Sequence, residues 1–307
     1  MGTPEFARIV LEYVLDWPRG EIVGVYTQPD RPSGRGRSLK PSPVKQLSIE
    51  KGLPVHQPEN FKNRAEVERL MAAEPDYLLV AAYGLILPEG VLKTAKEMPL
   101  NVHASLLPHY RGAAPIQRAI ISGEKQTGIS IMRLTPGMDT GPVLMRRAVD
   151  IYESDTAQTL HDKLASIGGE LLVQVLDSLQ EEDLPAEEQD HELATYAPKL
   201  SKKEAMINWN RPAGEVHDLI RGMFPWPGAY FFWTSPEGEP IRIIIYPGKI
   251  GNQTPEGVKP GALTGVEQGY LGIACRDRIY LTPRVKPENS KEMSAQGFYC
   301  GFLQKCR

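Results

Sequence analysis

Short β-rich runs alternate with helical stretches over the first two thirds of the chain, and this alternation constrains the fold more than any other feature. Strands are predicted at residues 21–27 and 76–82, because both runs are rich in β-branched or aromatic residues and are bounded by turn residues. Helices are predicted at residues 63–73, with Asn63 as the N-cap, and at residues 156–179, where apolar residues recur at helical spacing. The pattern is typical of an α/β fold with a doubly wound, mostly parallel sheet.

From about residue 205 the pattern changes to short β-rich segments separated by Gly and Pro turns, which indicates a small β-barrel. Strands are predicted there at residues 229–234, 241–246, 272–275 and 278–282. We therefore divide the chain into a first domain at residues 1–184, a linker at residues 185–203 and a second domain at residues 204–307.

The charge of the chain is uneven. Residues 202–307 carry 14 Lys and Arg against 10 Asp and Glu, whereas residues 1–201 carry 21 against 28, so the net charges are +4 and -7. An asymmetry of this size does not by itself indicate a binding partner, because surface charge usually serves solubility. It fits a protein whose second domain holds an acidic polymer while the first performs chemistry.

Polar side chains gather around one turn-rich loop in the first domain. Asn101 and His103 lie two residues apart in a short apolar run that follows Pro99, and the period of a strand points both side chains to one face. Two such donors at a strand end suit an oxyanion that forms at an attacked carbonyl, and Asp139 is the candidate that orients the imidazole. We therefore predict a catalytic group of Asn101, His103 and Asp139.

Each of these residues also has an ordinary structural interpretation. Asn101 then ends a strand, His103 is an interior histidine and Asp139 is a turn residue. A Ser105, His103 and Asp139 hydrolase triad is a third interpretation, but Ser105 lacks the glycine-flanked elbow that exposes a hydrolase nucleophile.

The same residues resemble the folate-dependent formyltransferases, which share Asn101, His103, the run from Ser105 to Pro108 and Asp139 in this order. The similarity extends along nearly the whole chain. It includes residues 3–7 (TPEFA), 27–32 (TQPDRP), 41–45 (PSPVK), 82–88 (AYGLILP), 111–117 (RGAAPIQ), 196–204 (YAPKLSKKE), 207–209 (INW) and 225–229 (PWPGA).

The resemblance implies a Rossmann-like formyltransferase domain followed by an OB-like β-barrel that binds tRNA. The implied reaction transfers a formyl group from 10-formyltetrahydrofolate to the amino group of methionine on initiator tRNA, a step of translation initiation. No metal is expected, and the three cysteines show no metal-ligand spacing. Asn101 and His103 would stabilise the oxyanion, and Asp139 would orient His103 and help to remove the proton.

The resemblance also assigns two binding regions. The folate pocket would be lined by Tyr83, Gly84, Leu85, Ile86, Ser105, Leu106, Leu107 and Pro108. The tRNA loop would use Arg31, Arg35, Arg37 and Lys40, and Gly34 and Gly36 flank Arg35 so that the backbone can bend toward the acceptor end. Ordinary core packing for the leucines, and a solvated surface for the loop, are the alternatives.

Members of this family begin with a short apolar strand ahead of the Gly-Thr-Pro loop, whereas Met1 directly precedes Gly2 here. In a doubly wound sheet that strand is central, so we expect a gap between the strands at residues 21–27 and 76–82. A start site assigned at an internal methionine explains the sequence more economically than an active enzyme with an incomplete sheet.

The composition is 41% apolar and 24% charged, without an apolar run of about 18 residues and without a signal peptide. We therefore expect a cytoplasmic monomer that does not enter membranes. The alternatives for the activity are another 10-formyltetrahydrofolate enzyme, acting on an amino-sugar nucleotide, on glycinamide ribotide or on water. A catalytically idle tRNA-binding protein is a further alternative if the incomplete sheet has ruined the first domain.

Overall fold

The computed structural model of the protein describes residues 1–33, 38–181, 184–234 and 238–303. Its contacts divide the chain into two compact units. The first unit contains Met1–Pro115, Gln126–Asp150 and His161–Ala197, and the second contains Ile116–Lys125, Ile151–Leu160 and Pro198–Arg307. Two short segments of the second unit thus interrupt the sequence of the first.

Helices and strands alternate from Met1 to Ala197. The helices are α1 Glu5–Leu15, α2 Pro43–Glu50, α3 Arg64–Ala72, α4 Glu89–Leu92, α5 Pro115–Ile121 and α6 Ala157–Glu181. The strands are β1 Val25–Tyr26, β2 Arg31–Ser33, β3 Ser38–Lys40, β4 Val55–His56, β5 Tyr77–Val80, β6 Met98–His103, β7 Arg111–Gly112, β8 Gln126–Arg133, β9 Val143–Asp150 and β10 Tyr196–Ala197. A short 3-10 helix at His191–Leu193 precedes β10.

The predicted α/β alternation is confirmed. Strand β5 pairs in parallel with β6, which pairs antiparallel with β8, and β8 pairs antiparallel with β9; β1 and β4 form a separate parallel pair. The two predicted helices are α3 and α6. Asn63 caps α3, because its side chain accepts a hydrogen bond from the Ala65 amide at 3.1 Å. The apolar stripe of α6 is buried at Leu164 and Leu171, as its periodicity predicts.

The two parallel pairs are separated at the place where the sequence predicts a gap. The Gly2 amide donates to the Tyr26 carbonyl at 2.9 Å, and the Ala81 amide donates to the Met1 carbonyl at 3.0 Å. Met1 and Gly2 therefore act as a very short strand between β1 and β5. Beside Met1 lies a cavity of about 240 Å³ that is lined by side chains of α1, β1, β5 and α6.

The amino group of Met1 is buried at this cavity, where it donates to the Leu79 carbonyl at 2.6 Å. Burial lowers the pKa of this amine from its ordinary value of 8.0 to about 5. The unfolded chain then binds more protons than the folded chain between pH 5 and pH 8. The stability contributed by the neutral amine is therefore present above pH 8 and is lost as the pH falls toward 5.

Extending the chain by about five Val and Ile residues ahead of Met1 should raise Tm by on the order of 5 °C at pH 8. The added residues would fill the cavity and pair with β1 and β5, and the charged terminus would leave the interior. A Gly-Ser extension of equal length is the control, since it also moves the terminus but supplies no apolar surface. Equal Tm values for the two extended proteins at pH 8, measured by calorimetry, would contradict this account of the cavity.

The second unit is built mainly of antiparallel strands. Its elements after Pro198 are α7 Ala213–Gly222, β11 Tyr230–Thr234, β12 Pro240–Ile245, β13 Lys249–Gln253, β14 Leu263–Glu267, β15 Tyr270–Ala274, β16 Arg278–Thr282, β17 Arg284–Pro287, β18 Met293–Ser294, α8 Ala295–Phe298 and a π-helical turn at Tyr299–Leu303. The four strands predicted from the sequence correspond to β11, β12, β15 and β16.

The strands of this unit form two sheets of four strands each, in the orders β11-β12-β17-β18 and β13-β16-β15-β14. Hydrogen-bonded pairing among the described residues does not close them into one barrel. Pro247 and Pro283 lie where the chain passes from one sheet to the other, and a proline cannot donate to a ladder. The C-terminal β domain is thus present as a pair of sheets.

The aromatic residues of this unit divide between core and surface. Trp209 and Phe231 are buried and pack edge to face with ring centroids 5.4 Å apart. Trp226 and Phe232 are exposed by 54% and 51%. A stacking surface of the kind that single-stranded nucleic acid uses would therefore draw on the exposed rings of Trp226 and Phe232.

Candidate active site

Strand β6 carries two of the predicted catalytic residues at its carboxyl end. Asn101 and His103 are two apart in the strand, so both side chains lie on one face of the sheet. Both are buried, with 9% and 6% of their surface exposed. β6 pairs with β5 on one edge and with β8 on the other, which makes it a rigid support for these side chains.

The ring of His103 has a defined orientation. Its Nε2 atom is 3.0 Å from the carbonyl oxygen of Tyr110, and a carbonyl can only accept, so Nε2 carries a proton. Nδ1 therefore faces Asp139, whose Oδ2 lies 3.7 Å away. This distance is too long for a direct hydrogen bond.

Asp139 is held by the backbone of β7. Its Oδ2 atom accepts a hydrogen bond from the Gly112 amide at 2.8 Å. Asp139 and Tyr110 both have left-handed backbone conformations, with φ of 52° and 59°, which residues other than glycine rarely adopt. Such strain is characteristic of functional sites, and here it occurs at the two residues that contact or face the imidazole. The structure thus brings together the three residues that the sequence predicts.

The loop at residues 105–108 follows β6 and is anchored to β8. The Ser130 hydroxyl donates to the Ser105 carbonyl at 2.7 Å, and it accepts from the Leu107 amide at 3.1 Å. Leu106 packs against Gly128, where a side chain would come within 2.5 Å of Leu106 Cδ2. Ser105 and Leu107 are buried, whereas Leu106 and Pro108 are partly exposed.

The hydroxyl of Ser105 does not contact His103. It is fully buried and donates to the carbonyl of His109 at 2.6 Å. A nucleophilic serine must offer its oxygen to the base and to the substrate, and this hydroxyl is engaged in holding its own loop. The geometry therefore does not support the hydrolase triad.

A second loop, at residues 83–88, follows β5, the neighbour of β6. The carbonyl of Tyr83 accepts from Thr3 Oγ1 at 2.9 Å and from Gln28 Nε2 at 2.9 Å. Tyr83 itself is buried, Gly84 is exposed, Leu85 is partly buried, and Ile86 is 92% exposed. Both predicted folate loops thus follow adjacent strand ends, as binding sites in α/β sheets commonly do.

Two functional candidates were missed by the sequence interpretation. The buried guanidinium of Arg111 donates to Gln189, and Gln189 in turn donates to the backbone beside Asp139. The sequence interpretation included Arg111 only as part of the motif at residues 111–117. It placed Gln189 in the predicted linker at residues 185–203. The signal that points to them is burial of polar side chains in a polar part of the sequence, which only the fold reveals.

The predicted tRNA loop forms a hairpin of β2 and β3. Arg31 and Lys40 face each other across it as a paired position, and both are exposed. Arg35 and Arg37 lie outside the described residues. Asp30 next to the hairpin is paired with Lys45 at 2.7 Å, which lowers the pKa of the Asp30 carboxyl.

The described residues lack both a metal-binding cluster and a membrane-spanning helix. They contain no group of three or more His, Cys, Asp or Glu side chains arranged to hold a metal ion. Within the same ranges, every helix lacks the combination of length and apolar character that crossing a bilayer requires.

Known proteins are similar to this chain over its full length. The family model described as formyl transferase matches residues 2–176, and the model of the formyl transferase C-terminal domain matches residues 199–303. A methionyl-tRNA formyltransferase of Nitratidesulfovibrio vulgaris (strain DP4) is 47% identical over 306 residues, which cover 100% of this chain and 93% of that protein. The enzyme of that name from Pseudomonas fluorescens is 43% identical, with 99% and 92% covered.

Solved structures share the fold at lower identity. An N-formyltransferase from Helicobacter canadensis, in complex with folinic acid and dTDP-3-aminofucose, has a TM-score of 0.63 at 18% identity, covering 95% of this chain and 97% of that one. HypX from Aquifex aeolicus in complex with tetrahydrofolic acid has a TM-score of 0.61 at 17% identity; the match covers 83% of this chain and 44% of HypX. The family models and the full-length relatives together show that this chain belongs to the formyl transferase family.

Proposed function

We propose that the protein transfers a formyl group from 10-formyltetrahydrofolate to the amino group of methionine on initiator tRNA, and so acts in translation initiation. One observation carries the proposal: relatives named methionyl-tRNA formyltransferase match the full chain at up to 47% identity. The N-formyltransferase that was solved with an amino-sugar nucleotide matches at 18%. The acceptor is therefore expected to be charged tRNA rather than an amino sugar.

Asn101 and His103 stabilise charge in the proposed reaction. The co-substrate supplies an activated formyl carbon, and the amine of methionine attacks it. Asn101 and His103 lie on one face of β6, and both would stabilise the formyl oxygen as it becomes an oxyanion. The Asn101 amide donates to it directly, and the His103 Nε2–H does so in place of its contact with the Tyr110 carbonyl. Because a buried site excludes bulk water, these donors act in a medium where such interactions are strong.

Asp139 accepts the proton in this scheme. A new bond forms between the amine nitrogen and the formyl carbon, the bond from that carbon to N10 of the folate breaks, and the amine proton is passed on so that N10 leaves protonated. Asp139 Oδ2 lies 3.7 Å from His103 Nδ1, so a water bound beside the two atoms, rather than between them, would relay this proton. Gly112 keeps the Asp139 carboxylate at that position through its amide.

The loops after β5 and β6 would hold the folate. A pteridine is flat, with hydrogen-bonding edges that loop backbone can read and faces that apolar side chains can cover. Ile86 and Leu106 supply exposed or partly exposed apolar surface, and Gly84 allows a close approach of the backbone. Buried Tyr83, Ser105 and Leu107 would shape the pocket from beneath, whereas Leu85 and Pro108 complete the two loops.

The division of labour follows the domains proposed from the sequence. Residues 1–184 would carry out the chemistry and residues 204–307 would bind tRNA, while the connecting residues 185–203 would also support the site through Gln189. Since Asn101, His103 and Asp139 belong to one chain, the site needs no second copy, and we expect a monomer. An enzyme that acts on initiator tRNA meets its substrate in the cytoplasm.

An assay of acceptors tests the proposal directly. The purified protein is incubated with 10-formyltetrahydrofolate and charged initiator tRNA, and formylmethionine is measured after hydrolysis of the ester. Parallel reactions replace the tRNA by an amino-sugar nucleotide, by glycinamide ribotide or by buffer alone. We expect formylation of the tRNA at a kcat/KM at least about 10³-fold above the other acceptors. Preference for another acceptor identifies an alternative formyltransferase, and tRNA binding without turnover identifies an idle binding protein.

The hairpin of β2 and β3 should contribute to tRNA binding in two ways. We propose that Lys40 contacts phosphate, so Lys40→Ala should weaken binding of initiator and elongator methionyl-tRNA alike and lower the salt slope by about 1. Arg35, which two glycines flank in the sequence, should contact the acceptor end, so Arg35→Ala should reduce the preference for the initiator. Formylation rates of both tRNAs at two salt concentrations measure this, and an unchanged preference in Arg35→Ala would contradict it.

A further inference from the structure

The side chain of Gln189 lies buried between two parts of the candidate site. It is 5% exposed, although its neighbours Glu188 and Asp190 are exposed. Its Nε2 donates to the carbonyl of Asp139 at 2.9 Å and to the carbonyl of Gly141 at 2.6 Å. Its Oε1 accepts from Arg111 Nη2 at 2.7 Å and from Nε at 3.1 Å.

The partners determine how this amide must point. A guanidinium can only donate and a carbonyl can only accept, so Oε1 faces Arg111 and Nε2 faces Asp139 and Gly141. Every hydrogen-bonding position of the amide is then used. A carboxylate at this position would meet two carbonyl oxygens, and an apolar side chain would leave Arg111 and both carbonyls without their partner. Glutamine is therefore the residue type that this environment selects.

The contact bears on the orientation of the Asp139 carboxylate. Gly112, next to Arg111, donates its amide to Asp139 Oδ2, while Gln189 holds the carbonyl of the same aspartate. Asp139 has φ of 52°, an unfavourable conformation that persists only when its surroundings hold it. Gln189 thus holds Asp139 through its backbone carbonyl, and Gly112 holds it through its side-chain carboxylate.

The backbone around Gln189 is itself attached to the first unit. Glu187 and Val143 exchange two hydrogen bonds of 2.8 Å, and β10 pairs in parallel with β7. Thr195 Oγ1 accepts from the amide of Tyr110, the residue whose carbonyl accepts the hydrogen bond from His103 Nε2. Residues 187–197 are therefore attached by hydrogen bonds to the loops that carry the candidate site.

We propose that Gln189 is a positioning residue for the formyl transfer, acting through Asp139. This inference rests on the proposed function. It predicts that loss of the Gln189 amide lets the Asp139 carboxylate leave its place beside His103. Displacement of a reacting group by about 1 Å costs on the order of 10²-fold in rate, so Gln189 variants should lose turnover without touching either substrate.

Two variants and a matched control test the proposal. Gln189→Glu keeps the acceptor for Arg111 and loses both donors, and Gln189→Met keeps the length of the side chain and loses every hydrogen bond. Gln174→Glu is the control, because Gln174 also accepts from an arginine, Arg147, but lies exposed on α6. We expect kcat to fall at least about 10-fold in both Gln189 variants, with each KM within about 3-fold of wild type, and no change in the control.

A double-mutant cycle separates positioning from general structural damage. If Gln189 acts through Asp139, Gln189→Met should change the residual turnover of Asp139→Ala by less than about 2-fold. A merely structural role would lower turnover by the same factor in both backgrounds and would overturn the proposal. Thermal unfolding of each variant identifies any that fails to fold, and Gln189→Glu then carries the comparison, since it retains an oxygen that accepts from Arg111.

A second readout does not depend on activity. Exchange of the Gly112 amide hydrogen with deuterium should be faster in Gln189→Met than in wild type, because the acceptor on Asp139 is no longer held. Wild-type exchange in Gln189→Met would refute the positioning role. Failure of the wild-type protein to formylate any charged tRNA would refute the proposed function alone, since the exchange measurement still reports on the contact.

Discussion

Replacing His103 or Asp139 is expected to lower kcat by about 10²-fold or more while changing the Kd for folate by less than about 3-fold. Both groups act as charge develops in the transition state, so the bound ground state loses little. Asp139→Asn is the sharper variant, because its amide oxygen can still accept from Gly112 but carries no charge. Single-turnover formylation at saturating folate and tRNA measures the chemical step.

The chain offers a matched control for these substitutions. His161 and Asp162 form a second His-Asp pair, 2.9 Å apart, on α6. His161→Ala and Asp162→Asn should leave turnover within about 2-fold of wild type, since Asp162 is exposed and His161 packs against Phe6 instead of belonging to the catalytic group. Turnover of Asp139→Asn close to that of Asp162→Asn would remove Asp139 from the catalytic group.

Gly112→Ala is expected to lower kcat by about 10-fold or more and to lower the free energy of unfolding by about 1 to 3 kcal/mol. Gly112 has φ of 118°, and a Cβ there would lie 2.9 Å from the carbonyl oxygen of Ala197. That oxygen cannot move freely, because the amides of Ala113 and Ala114 donate to it. The strain would therefore displace the Gly112 amide from Asp139.

Gly90→Ala is the appropriate comparison for this variant. Gly90 lies in α4, and a Cβ there would meet no atom within 4 Å. Alanine costs less conformational entropy than glycine in a helix, so this variant should be more stable by about 0.5 to 1 kcal/mol, with unchanged kcat. Urea unfolding and steady-state kinetics of both variants test the pair. Normal kcat in Gly112→Ala would show that its amide is not needed to hold Asp139.

Local signals in the sequence predicted helices α3 and α6 and a minority of the described strands. Asn63 caps α3 and the apolar stripe of α6 is buried as predicted, because capping and helical periodicity involve residues a few positions apart. Strands β13 and β14 are among those that were missed, since both contain Gly and polar residues that favour no strand by themselves. The pairing of Asn101 with His103 was predictable for the same local reason, the period of a strand.

By itself, then, the sequence determined the class of fold, the family and the presence of Asn101, His103 and Asp139 on loops and strand ends. Only the tertiary structure decided how Asp139 is held. Gln189 is 50 residues away from Asp139 along the chain, and Arg111 is 78 away from Gln189. Contacts at such separations depend on how whole elements pack, and no local propensity encodes them. The predicted linker at residues 185–203 therefore contains, in the folded protein, part of the support for the site.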